Sequence, residues 1–302
     1  MNRMITLADT RPAETLSGWM LYTEGDSSRN PHYIRLYEEA CERCGMSVHC
    51  GIYRPSVLRS DKKEAARQLR ELLEQETPRY VINRTRDYAL AKLLESMGIR
   101  VFNPSSIARL GNDKSEAYRY MQQRGIPVMP TVYGIQPPPW YPAVVKSCDG
   151  HGGTEVWYLA DASAWTDWKH ERLQESGHLS AEKQYLIQQA ASDLGKDVRV
   201  YIVGNEIKAA VSRTSQTDFR SNYCLGGKVQ LHQLSDKEQE LAARTIQGLS
   251  IGMAGIDFIY HHGQWVFNEI EDMAGARSLY ALTDYDIVND YIHYIQKELD
   301  QT

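Results

Sequence analysis

No stretch of this 302-residue chain is apolar for long enough to cross a bilayer, and Met1 to Glu14 lack the apolar core of a signal peptide. The expectation is a cytoplasmic protein without a membrane partner. Cysteine is scarce and ill-paired: Cys41, Cys44, Cys50, Cys148 and Cys224 are an odd number without framework spacing, which argues against a disulfide scaffold. Cys41, Cys44 and Cys50 with His49 could be read as a zinc or redox cluster. Helical periodicity from His32 to Cys44, a stop at Gly45 and a strand from Ser47 to Tyr53 favour ordinary helix packing instead. Positive charge is not in excess either. The formal net charge is -5 at pH 7, so nothing favours nucleic acid or an anionic membrane as the main partner. Internal repeats and low-complexity segments are missing, and 42% hydrophobic with 24% charged residues is ordinary for a globular chain of two or three subdomains.

Against these absences stands an acidic hairpin. Gly255 to Tyr260, a short turn, and Val266 to Asp272 read as two paired strands carrying Asp257, Glu269 and Glu271. Side chains alternate along a strand, so Glu269 and Glu271 share a face, and pairing can bring Asp257 alongside them. Three like charges on one face repel unless hard cations sit between them, and oxygen-only ligation suits Mg²⁺ carrying nucleotide phosphates. A solvated hairpin edge is the alternative, and upstream residues decide between the two.

Upstream, Ala143 to Ser147 reads as a buried strand, followed by Asp149-Gly150-His151-Gly152-Gly153-Thr154 and a second strand from Glu155 to Leu159. Glycines there let backbone N–H groups approach phosphate oxygens, and Lys146 enters from the strand as a point charge. No Gly-Lys-Ser/Thr follows, which excludes a Walker loop. A strand rather than a helix comes next, which excludes a Rossmann fingerprint. Arg199, Arg213 and Arg220 add cations downstream. Singly each is an ordinary salt-bridge candidate; together with the acidic hairpin they suggest a polyphosphate pocket.

From about Asn83 to about Gly275 the chain resembles the ATP-grasp enzymes, and among them the RimK-like carboxylate-amine ligases. Asn112-Asp113-Lys114 resembles the first ATP-lysine segment, and Lys146 with Gly150, Gly152 and Gly153 resembles the second lysine and the phosphate flap. Leu186-Ile187-Gln188-Gln189-Ala190 resembles the adenine hinge, with Asp197 facing the nucleotide. Asp218-Phe219-Arg220-Ser221-Asn222 before Gly226-Gly227 is the most RimK-specific match, and Asp257, Glu269 and Glu271 fall on the metal-ligand positions. Two departures stand out. Glu271, Asp272, Met273, Ala274 and Gly275 replace the usual Asn and Ser-Pro-Gly loop, and Gln189 stands where glutamate is common.

The resemblance implies an α/β (α+β) ATP-grasp fold: an N-terminal parallel-sheet domain over 1–108, a lid over 109–184 and a mixed-sheet C-terminal subdomain over 185–302. Alternating strands and helices in the first part agree with βαβ order. It also implies ATP with one or two Mg²⁺ ions, Mn²⁺ as a substitute, and carboxylate and amine substrates of small-molecule or peptide type. An acid would attack the γ-phosphate, and an amine would then displace phosphate from the acyl carbon. Arg199, Arg213 and Arg220 are the expected charge-neutralising residues, with Arg220 and Asn222 also on the nucleotide. Arg277 is expected to dock an acceptor carboxylate or to neutralise Glu271 and Asp272. A kinase or a slowly turning nucleotide-dependent regulator are the rival classes, and a homo-oligomer is compatible with the chain.

Overall fold

The computed structural model describes residues 3–7, 16–153, 155–176, 184–221 and 228–301. Asn222, Gly226, Gly227 and Cys224 lie outside them. The first part contains β1 (Ile5–Leu7), β2 (Leu16–Thr23), α1 (Glu24–Arg29), α2 (Pro31–Arg43), β3 (Met46–Tyr53), α3 (Pro55–Ser60), α4 (Lys62–Gln75), β4 (Tyr80–Arg84), α5 (Tyr88–Ser96) and β5 (Val101–Phe102). Its sheet has the order β1-β3-β2-β4-β5, parallel except for β1. Parallel strands covered on both faces must be apolar on both. Accordingly Met20, Tyr22 and Ile82 fill one core, and Trp19, Leu21 and Val81 another. The Cys41 segment belongs to this packing: Cys41 is fully buried 3.5 Å from the Tyr80 hydroxyl, and burial pushes its thiol up to about 12.

Next come α6 (Ser105–Asn112), α7 (Lys114–Gln123), β6 (Thr131–Tyr133), β7 (Ala143–Ser147), β8 (Val156–Leu159), α8 (Ala162–Ser176) and β9 (Tyr185–Gln189). A four-stranded sheet joins them in the order β6-β9-β7-β8. The boundary expected at residue 185 is therefore displaced: β9 pairs with β6 and β7 and completes the lid sheet. Residue 109 divides poorly too, because Ala117, Tyr118 and Met121 of α7 are buried in the C-terminal core.

That core belongs to β10 (Asp193–Val203), β11 (Glu206–Thr214), β12 (Lys228–Leu231), α9 (Asp236–Ile246), β13 (Met253–His261), β14 (Gln264–Glu271), α10 (Arg277–Tyr280) and α11 (Ile287–Asp300). The strands form one antiparallel sheet, β12-β11-β10-β13-β14. One face buries Val198, Val200, Ile256 and Phe258 against α7 and α9. The other carries charge. Tyr201, Val203 and Met253 at its far end join Tyr291 and Ile292 of α11 and the N-terminal residues Met20 and Tyr22 in one shared core. Asn103 fastens the same junction, donating to the carbonyls of Met253 and Asp272 at 2.8 and 2.7 Å. No helix among the described residues is long and apolar enough to cross a membrane.

Candidate active site

Sheet register builds the floor of the site. Pairing sets Arg199 opposite Asp257 and Asp257 opposite Glu269, while Asp197 faces Arg213 one row away. Arg199 donates to both Asp257 oxygens at 2.8 and 2.7 Å and extends its remaining arm to Glu271. Gly255 makes this possible. A Cβ there would lie 3.0 Å from Cδ of Arg199, so a larger residue would displace the side chain that bridges the two acids. Arg213 holds both Asp197 oxygens at 2.6 Å and adds a 2.6 Å bond to Asp257. Burial alone would raise the Asp257 pKa, but Arg199 and Arg213 hold it at about 2.

A bulge shapes the other edge. Asp257 pairs with Glu269 but Phe258 with Phe267, leaving Asn268 as an extra residue in β14. Its side-chain oxygen accepts from Lys146 at 2.8 Å, and its carbonyl accepts from the Tyr118 hydroxyl. Asn268 and Tyr118 are site residues that sequence reasoning missed. Strict alternation gives Asn268 the face opposite Glu269, and the bulge overrides it.

Above the floor is a cleft lined by Lys114, Lys146, the glycine loop and Glu269. Lys114 and Lys146 reach it from different elements. Asp113 caps α7 by accepting from the Ser115 and Glu116 amides, which fixes Lys114 at the helix start. Lys114 donates to the Gly150 carbonyl and lies 3.8 Å from Glu269. Gly150, Gly152 and Gly153 line the roof, and positive φ values of 64° and 74° at Gly152 and Gly153 explain the glycines there. Arg220 donates to the Gly153 carbonyl and pairs with Asp218 at 2.6 Å, tying the glycine loop to the segment after β11. Gln188, Gln189 and Asp197 complete the lining on the hinge side.

Several expected roles change. Arg199 and Arg213 are consumed by carboxylates beneath the cleft and do not line it. Ala190 does not line it either; it is buried, and its amide donates to the Pro142 carbonyl at 3.0 Å. Arg277 is exposed at the start of α10, whose buried side takes Ser278 and Leu279, so it does not border the pocket. No group of three or more metal-ligating side chains converges among the described residues. Guanidinium groups already neutralise Asp257, which is 1% exposed, and Arg199 sits between it and Glu271. Glu269 is different: its ion pair among the described residues is the 3.8 Å contact to Lys114, and a third of its side chain is open. Mg²⁺-type sites commonly use one or two carboxylates with phosphate oxygens and water, and Glu269, a third of its side chain open on the cleft, fits such an ion.

Lys146 is 8% exposed, and burial, with a further push from the Lys114 charge, lowers its pKa to about 8 against an attraction from Glu269. A lysine depressed in the folded state binds fewer protons there, so stability rises with pH between about 8 and the unperturbed 10.5. Urea melts of the nucleotide-free protein at pH 7.5 and 9.5 are expected to show a gain of ~2 kcal/mol that Lys146→Met lacks. An equal pH response in both proteins would mean that Lys146 keeps an ordinary pKa.

Fold and cleft together define an ATP-grasp enzyme: a glycine loop and two lysines over an acidic, arginine-braced sheet. The profile of the RimK-like ATP-grasp domain matches residues 135–295, more than half of the chain, and the chain belongs to that family. It is thereby an enzyme of the carbon–nitrogen ligase class that uses ATP and a divalent metal ion. Among curated relatives, a probable alpha-L-glutamate ligase of Xanthomonas campestris pv. campestris is 27% identical over 224 residues, covering 70% of this chain and 74% of the relative. The RimK domain protein of Sphaerobacter thermophilus superposes with a TM-score of 0.67 at 20% identity, covering 91% and 98% of the two chains. D-alanine–D-alanine ligase from Bacillus anthracis, solved with ATP, gives 0.68 at 13% identity over 95% and 100%. At these identities the two structures show the shared fold.

Proposed function

We propose that the protein joins a carboxylic acid to an amine, with ATP as the energy source and Mg²⁺ as the metal. An oxygen of the acid attacks the γ-phosphorus and ADP departs, leaving an acyl phosphate. The amine nitrogen then attacks the acyl carbon, phosphate leaves with the carbon–oxygen bond, and the nitrogen sheds a proton. The observation that carries this reading is the convergence of Lys114, Lys146, the glycine loop and Glu269 on one cleft.

No covalent nucleophile is needed, because positioning and charge neutralisation suffice for phosphoryl transfer. Lys114 and Lys146 supply positive charge to the phosphates from two directions. Lys146 is positioned by Asn268 and Tyr118, at 2.8 and 3.1 Å. Arg220 steadies the roof through the Gly153 carbonyl. Arg199 and Arg213 act one layer down, holding the acids of the floor at fixed separation. Mg²⁺ held by Glu269 and Glu271 would neutralise charge on the phosphate oxygens. Both substrates are proposed to be small molecules or peptides.

Incubation with ATP, Mg²⁺ and pooled acids and amines, followed by mass spectrometry, is expected to show ADP, phosphate and an amide, with ATP consumption dependent on both partners. Release of AMP and pyrophosphate, or a stable phosphorylated acid with no amide, would overturn the ligase reading.

A further inference from the structure

The lid sheet has one face in its own core and one on the cleft. Ala143 and Val145 of β7 and Tyr185 and Ile187 of β9 pack with Trp165 and Trp168 of α8, so the alternate residues Val144, Lys146 and Gln188 take the cleft face, which all three line. Gln188 pairs with Val144, and Lys146 stands two residues nearer the glycine loop. The phosphate end of the cleft is therefore at Lys146. The Val144 end, walled also by Met129, Leu194 and Ile259, is apolar and suits the flat face of a nucleotide base.

Backbone donors that could read the edge of that base are partly spent. The amides of Gln189 and Ala190 donate to the carbonyls of Pro130 and Pro142, each at 3.0 Å. Selection then falls more heavily on a side chain, and Gln188, 2% exposed, stands at the base end of the cleft. A side-chain amide carries a donor and an acceptor, so the way it is turned decides which base it favours.

Thr131 turns it. The residue lies directly opposite Gln188 in the β6–β9 pairing, and its hydroxyl donates to the Met129 carbonyl at 2.7 Å. A hydroxyl has one proton and a carbonyl has none to give, so toward Gln188 the Thr131 oxygen can only accept. The 2.9 Å bond between the two side chains must then be donated by Nε2 of Gln188. Its Oε1 is left facing away from β6 as an acceptor. An acceptor at the edge of a base welcomes an amino group, and a keto oxygen in the same place would leave two acceptors facing each other in a dry pocket.

We propose that Thr131, by locking the Gln188 amide, makes the cleft select adenine over a purine that carries a keto group in place of the amino group. Gln188 is then the specificity-determining residue, and Thr131 a positioning one. The inference rests on the reading of the cleft as an ATP site and names the device that chooses its nucleotide.

Calorimetric titration of ADP and of IDP, each with Mg²⁺, into the full chain reads the base without requiring turnover, because the two nucleotides differ only at that edge. Wild type is expected to bind ADP about thirtyfold tighter than IDP. Thr131→Val removes the hydroxyl at nearly constant shape and frees the amide to turn Nε2 toward a keto group, so IDP should gain about tenfold while ADP changes by less than about threefold. Thr131→Ser keeps the hydroxyl and should keep the wild-type ratio, and Gln188→Leu should bring the two nucleotides to within about threefold of each other. A purely structural Thr131 would weaken both nucleotides alike in Thr131→Val, and that result overturns the proposal. Equal binding in wild type overturns it too, with the nucleotide cleft left standing. Binding of neither nucleotide overturns the ATP reading along with it. Should the ratio shift as expected while no amide ever forms, the ligase reading fails and the role of Thr131 stands.

Discussion

Asp257→Asn is expected to cost about 3–5 kcal/mol of folding stability, because it breaks a buried charge network and leaves two guanidinium groups to share fewer acceptors. Asp257 is 1% exposed and accepts from Arg199 and Arg213 through three bonds of 2.6 to 2.8 Å. An amide keeps the shape but loses the charge and turns one acceptor into a donor, which Arg213 or Arg199 must then face. Urea denaturation checks the cost. The acid limb offers a second check, since a carboxylate whose pKa falls from 3.8 to about 2 contributes stability above the ordinary value and loses it as pH drops through the folded one. The wild-type protein should therefore lose stability between those pH values more steeply than the variant. A variant as stable as wild type that had simply lost metal would return Asp257 to the role of a ligand.

Glu269→Gln should do the reverse: turnover falls by about a thousandfold or more while the melting curve barely moves. Among the described residues its carboxylate is tied by the 3.8 Å contact with Lys114, and it lines the cleft, so the fold has little to lose. Lysine charge on that side would go unbalanced, and the carboxylate best placed for a divalent ion would be missing. Steady-state ATP turnover across a range of Mg²⁺ concentrations, with thermal melts of the same preparations, separates the two contributions. Near-normal activity at limiting Mg²⁺ would sink the assignment. Glu271→Asn is expected to be milder in turnover, since an amide oxygen can still ligate, but to lower stability by breaking the pair with Arg199.

Much of this was legible in the residues. The strand–glycine loop–strand order around Lys146 and the acidic hairpin depend on local rules, because hairpin pairing and alternation act over a few residues. The βαβ order of the first part follows from the same short-range patterns, and only short elements escaped: β1, α1 and α3 are too brief to show a period. These features sufficed to suggest a polyphosphate pocket, and the resemblance to the ATP-grasp family implied ATP.

What local pattern could not decide was which charges meet. Arg199, Arg213 and Asp257 lie far apart in sequence, and nothing in their spacing says whether the arginines face phosphates or the acids. The register of β10 against β11 and β13 settles it in favour of the acids. The bulge that turns Asn268 toward Lys146 is likewise a property of two paired strands, not of either alone. β9 joined the lid rather than the C-terminal sheet because strand partnership is chosen by the whole core. Sequence by itself determined the elements and the chemical inventory, since those rest on the local periodicity of side chains. Tertiary structure alone decided the pairing of buried charges, since ion pairs depend on which distant strands lie side by side.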